Sequence, residues 1–137
     1  MGYRITELTD RQICVAAPLM PNRNIHGTGF AGSLYGLGIL TAWGLCAHII
    51  ARAGLDGDLV VAEAAIRYRA PVRGDIDCRC SITVDAAQRF INELTAKGRA
   101  RVALEVAICD APAAVIQASM HASRAKDKEK ERKFNPS

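Results

Sequence analysis

A chain of 137 residues, half of them apolar, is long enough for one domain with its own core and too short for two. Its five cysteines, Cys14, Cys46, Cys78, Cys80 and Cys109, lack paired metal-ligand spacing and nothing at the N-terminus reads as a signal peptide, so thiols buried in a reducing cytoplasm are expected, without metal. The formal charge of +4 is modest, and without stacking aromatics or a zinc or helix-turn-helix pattern it argues against nucleic acid as a partner.

The short apolar run from Ile13 to Leu19 predicts a strand, followed by a loop with Pro21, Asn22 and Asn24. From Phe30 to Ala51 there is no Asp, Glu, Lys or Arg, a length that would span a membrane. Gly32, Gly36, Gly38 and Gly44, the polar Ser33, Thr41 and His48, and flanks without a basic cluster or aromatic belt speak against that use. The segment is expected instead as a helix at the centre of a soluble domain. Each glycine costs such a helix roughly 0.5–1 kcal/mol against Ala, so backbone must lie close to a neighbour, which a wrapped sheet would supply. Arg52 and Gly54 are suited to close the helix.

Beyond the helix the apolar period changes to two. From Val60 to Pro71, Val60, Ala62, Ala64, Ile66 and Tyr68 fall on one side and Val61, Glu63, Ala65, Arg67 and Arg69 on the other. After a reversal at Val72 to Asp75, a second strand alternates from Ile76 to Val84. Asp85 is placed to cap a short helix that carries Phe90, Ile91 and Leu94 inward and ends at Lys97 and Gly98. A third strand sets Ala100, Val102, Leu104, Val106 and Ile108 opposite Arg99, Arg101, Ala103, Glu105 and Ala107. Asp110, Ala111 and Pro112 turn the chain into a last strand through His121. The expected domain is 1–124, with 125–137 a charged, disordered tail. A sheet curled around one helix leaves an edge and a face uncovered, which pairing of two subunits resolves.

The segment N-I-H-G-T-G-F-A-G-S, Asn24 to Ser33, the glycine-bearing apolar helix, the segment I-R-Y-R-A-P-V-R-G-D, Ile66 to Asp75, and K-G-R-A-R-V, Lys97 to Val102, together resemble the hotdog-fold thioesterases. More narrowly they are similar to the thioesterase-like domain that follows an acetyltransferase domain in some bacterial proteins. No acetyltransferase portion precedes it here, which points to a free-standing version. The resemblance runs from about Ile13 to Ser123. It implies an α+β hotdog fold, a long central helix wrapped by a curved five- or six-stranded antiparallel sheet. It further implies a homodimer, with a tetramer as the larger option, and sites for acyl-CoA or acyl-carrier thioesters at the dimer interface, with no cofactor and no membrane.

Hydrolysis of a thioester needs donors for the carbonyl oxygen and a base for the attacking water. Gly27 and the neighbouring amides at the helix entrance are candidates for the donors, or simply a tight loop needing positive φ. Asn24 and Ser33 are candidates to orient water or thioester, and equally ordinary helix caps. His26 is a candidate base or a loop anchor. Thr28 and Phe30 lie beside them as substrate contacts. Many members of the superfamily carry a carboxylate on the central helix; here Tyr35 stands where the H-G-G type has its aspartate. Glu63 is the replacement expected, or else a water-exposed neighbour of Arg67. Arg67, Arg69 and Arg73 would meet phosphates of coenzyme A or phosphopantetheine, or serve solubility alone. Cys46 and His48, two apart on a helix, face different ways and are expected as core residues, which argues against a thiol nucleophile. His121 is expected to be structural.

Overall fold

The computed structural model describes residues 2–124; the tail expected over 125–137 lies outside the described residues. In chain order the elements are β1 (Arg4–Leu8), β2 (Gln12–Ala17), a 3-10 turn at Met20–Asn22, α1 (Ala31–Arg52), β3 (Asp58–Tyr68), β4 (Ile76–Ser81), α2 (Val84–Lys97), β5 (Arg99–Ile108) and β6 (Ala114–Ser123). The six strands form one antiparallel sheet in the order β1-β2-β4-β5-β6-β3. The sheet curves around α1, the arrangement that the resemblance implies.

Alternation along the strands makes one face of the sheet apolar, and α1 fills it. Ile13, Val15, Cys78, Cys80, Val102, Leu104, Val106, Ile116 and Met120 point inward and are buried together with Leu34, Leu37, Leu45 and Cys46 of the helix. Full burial of a Leu contributes about 1.5–3 kcal/mol, so this seam dominates stability. Two helix glycines are explained by it. A Cβ on Gly38 would collide with Ile116 Cδ1, and one on Gly44 would lie 2.9 Å from Ile13 Cδ1. α1 is the one helix among the described residues long and apolar enough to cross a membrane, yet Leu37, Ala42 and Leu45 are wholly covered by the sheet. Gly54, at φ 72°, follows the helix end as expected.

Four features differ from the sequence reading. The hairpin β1–β2 precedes the helix, where only β2 was expected; all five β1 residues are exposed, so no apolar alternation marks it. The strand β4 ends at Ser81, and α2 begins at Val84 under a cap from Thr83, whose Oγ1 accepts from Ala86 N at 3.1 Å, while Asp85 sits in the first turn. Gly98 at φ 76° ends α2 as expected. Third, β3 contains a bulge: Val61 pairs with Met120 and Glu63 with Ser119, leaving Ala62 as an extra residue. Side chains therefore change sides there, and Val60 does not share the inner face with Ala64 and Ile66 but is half exposed.

The fourth concerns His48. Cys46 is a core residue, but His48 Nε2 lies 3.1 Å from Asp10 Oδ1 in the β1–β2 turn, and Arg52 Nε lies 3.3 Å from the same oxygen. The His48 hydrogen bond, helped by the charge of Arg52, holds the Asp10 carboxyl below its ordinary value of 3.8. For a depressed carboxyl the stabilisation is complete above the ordinary value and is lost as pH falls through the lower folded one. Asp10→Asn is thus expected to flatten the acid limb of the melting-temperature profile below about pH 4, while a limb identical to the wild type's would remove the clasp from the account.

Candidate functional site

The loop into α1 is built by Asn24. Its Oδ1 accepts from His26 N at 2.9 Å, Thr28 N at 3.1 Å and Thr28 Oγ1 at 3.1 Å, and its backbone N–H donates to Thr28 O at 2.7 Å. The Asn24 side chain is therefore engaged in shaping the turn, with Thr28 as its partner. Asn24 also accepts, through its carbonyl, the N–H of Gly27 at 3.1 Å. Gly27 has φ 75°, the left-handed conformation a tight turn needs, and its amide is occupied inside the loop. Gly27 thus makes the turn, and its own N–H is engaged within it.

Donors are found one step later. The N-cap of α1 is Phe30, which has no side-chain cap, so neither Asn24 nor Ser33 caps this helix. The N–H groups of Ala31, Gly32 and Ser33 have no acceptor among the described residues, at the end of the helix that carries about half a positive charge. The Ser33 hydroxyl, half-buried in that turn, likewise has no hydrogen-bond partner among the described residues. The Phe30 ring lies over the turn; a Cβ on Gly32 would stand 2.7 Å from its Cε1. The His26 side chain is exposed beside the turn and makes no hydrogen bond among the described residues.

Among the described residues, two hydrogen bonds fix this entrance to the end of β3 and to the β3–β4 connection. Gly29 N donates to Val72 O at 2.8 Å, and Gly29 has only hydrogen facing Val72 Cβ and Leu34 Cδ2, which an added Cβ would approach to 3.1 and 3.2 Å. Tyr68 Oη donates to Ala31 O at 3.0 Å. Sequence reasoning assigned neither Val72 nor Tyr68 to the site; only the resemblance carried by Ile66 to Asp75 marked the segment.

The remaining candidates divide. Arg73 follows buried Val72 and is exposed next to the entrance loop. Arg67 and Arg69 instead line an open groove of about 460 Å³ with Glu105, Val115 and Gln117 on the outer side of the sheet. Glu63 is exposed on that same outer side, across from Ser119, facing away from α1. It stands five residues from Tyr68, roughly 16 Å along the strand, so one chain does not bring it to the helix entrance. His121 is half-buried on the outer side opposite Arg101. Burial pushes the Cys46, Cys78 and Cys80 thiols up to about 12, which leaves them without thiolate at neutral pH. Among the described residues no group of three or more His, Cys, Asp or Glu is placed to hold a metal ion.

A family model described as putative thioesterase (yiiD_Cterm) matches residues 1–120. Among solved structures, a putative thioesterase from Shewanella oneidensis is 35% identical over 90% of this chain and 85% of its own, with a TM-score of 0.74. A protein of unknown function from Chlorobaculum tepidum is 28% identical over 90% of this chain and 83% of its own, with a TM-score of 0.86. A probable thioesterase from Pseudomonas aeruginosa, 23% identical over 90% of this chain and 83% of its own, shares the fold at a TM-score of 0.76.

Proposed function

Since the chain belongs to the thioesterase family whose model spans residues 1–120, we propose that it hydrolyses acyl thioesters at the entrance of α1. The observation that carries this reading is the uncapped first turn, with the amides of Ala31, Gly32 and Ser33 free of acceptors. There the carbonyl oxygen of a thioester would find donors already oriented for the charge that develops on it. Water adds to the carbonyl carbon, the carbon–sulfur bond breaks, and an acid and a thiol are released. The proton lost by the water goes to the departing sulfur by way of His26, whose ring has no partner among the described residues; Glu63, on the far side of the sheet, is not needed for this.

The substrate proposed is an acyl-CoA or the phosphopantetheine thioester of a carrier protein. Arg73 beside the entrance suits its phosphates, and Arg67 and Arg69 extend the cationic surface around the edge of the sheet. We further place the protein in the cytoplasm, consistent with five unpaired cysteines, as a homodimer. The dimer is supported by β3, an edge strand of 11 residues with Val60, Val61 and Tyr68 exposed, which a second copy would cover.

One observation favours a second reading. α1 has no carboxylate, and the entrance loop Arg23 to Phe30 offers His26 as its one candidate base, as would suit a dimer that binds acyl thioesters without cleaving them. Purified protein mixed with acyl-CoAs from two to sixteen carbons and a thiol reagent separates the two. Thiol release above the buffer rate, lost in His26→Ala, is the expected result; calorimetric binding with no release for any chain length would establish the binding protein instead.

A further inference from the structure

Tyr68 is the last residue of β3 and pairs with Ala114 of β6 through the backbone. Its side chain crosses to the first residue of α1, where the hydroxyl donates to Ala31 O at 3.0 Å. A second aromatic side chain joins the same two elements: Trp43 Nε1 donates to Leu59 O at 3.2 Å. Among the described residues these are the two side-chain hydrogen bonds between α1 and the edge strand. They do not stand in equivalent places. Trp43 holds the middle of a helix whose ladder is complete on both sides, whereas Tyr68 holds a first turn that has no polar cap.

First turns fray because their amides lack partners. Here the residues before the turn are fixed, Phe30 N to Asn22 O at 2.6 Å and Gly29 N to Val72 O at 2.8 Å, but among the described residues the turn itself has one hydrogen bond to the sheet, from the Tyr68 hydroxyl. We propose that Tyr68 is a positioning residue that replaces the missing cap, holding the first turn of α1 still so that the amides of Ala31 to Ser33 meet the developing charge without rearranging. The inference rests on the thioesterase reading of that turn. Tyr68 touches no reacting atom in this account; it acts through the carbonyl of Ala31, which also accepts the N–H of Tyr35 in the helix ladder.

Tyr68→Phe keeps the ring and removes only the donor. The expected result is a kcat about tenfold lower with KM within twofold, together with faster hydrogen exchange of the Tyr35 amide and its neighbours. Trp43→Phe removes the other clasp and is expected to leave both kcat and exchange at the first turn unchanged. Exchange at the first turn equal to the wild type's in Tyr68→Phe would overturn the inference, whatever the activity. So would a fall in kcat with a rise in KM shared equally by both variants, which would mark a general loosening. If the wild type releases no thiol from any acyl-CoA, the functional reading fails, and the exchange comparison still decides whether Tyr68 holds the turn.

Discussion

Gly38→Val is expected to destabilise the domain by about 2–3 kcal/mol, because α1 meets the sheet there with no room for a Cβ. The atom in the way is Ile116 Cδ1, the end of a side chain that is itself fully buried, and the added Cβ would also stand 3.6 Å from Ile108 Cδ1. Both isoleucines are fully buried, so room is made only by a new rotamer within the packed core or by a shift of β6 or the helix. Leaving glycine would by itself favour the helix by a few tenths of a kcal/mol for Val and by about 1 for Ala. Gly38→Ala should therefore lose less than Gly38→Val, with part of its clash offset. In thermal melts the Val variant is expected on the order of 10 °C below the wild type; a melt at the wild-type temperature would mean that the helix is not held against β6 in the way described.

Gly32→Val tests the site in the same manner but with the opposite balance. Its Cβ would come within 2.7 Å of Phe30 Cε1, so the ring that covers the first turn has to leave, and the new methyl groups stand beside the free amides. Phe30 is half exposed, so the ring has somewhere to go and stability should change little. Catalysis should suffer far more, since losing one oxyanion donor costs about 100-fold or more in kcat. Thiol release from the best acyl-CoA is expected to fall by about two orders of magnitude while the melting temperature stays within a few degrees. Full activity in a folded Gly32→Val protein would place the chemistry elsewhere than at this turn.

The helix and most strands were legible because their signals are local. An uncharged run from Phe30 to Ala51 closed by Arg52 and Gly54 predicts α1 to within a residue, and the alternation from Arg99 to Ile108 reads directly as β5. Where a local signal was weak or doubled, the reading slipped. Strand β1 has no buried face to print a pattern. Thr83 and Asp85 are both competent caps, and the choice between them depended on where β4 leaves the sheet. A bulge at Ala62 cannot be seen in β3 alone, since it is a mismatch of two strands in register.

The site was legible as a segment and not as a set of roles. The order Asn24, His26, Gly27, Thr28 correctly marks a constrained turn at the mouth of the helix, but which groups are left free in it depends on who hydrogen-bonds to whom. The Asn24 side chain and the Gly27 amide are both engaged within the turn, and the N–H groups left without partners among the described residues are those of Ala31, Gly32 and Ser33.

Composition and periodicity, then, determined a glycine-bearing apolar helix followed by strands with one apolar face, because burial of such faces depends on spacing along the chain, while the antiparallel sheet wrapped around the helix was implied by the resemblance to hotdog thioesterases. Only the tertiary structure decided which polar groups remain available. The partners concerned, Tyr68 with Ala31, Val72 with Gly29 and Asp10 with His48, lie 37 or more residues apart, and a hydrogen bond over such a separation is set by how the elements pack, which no local pattern encodes.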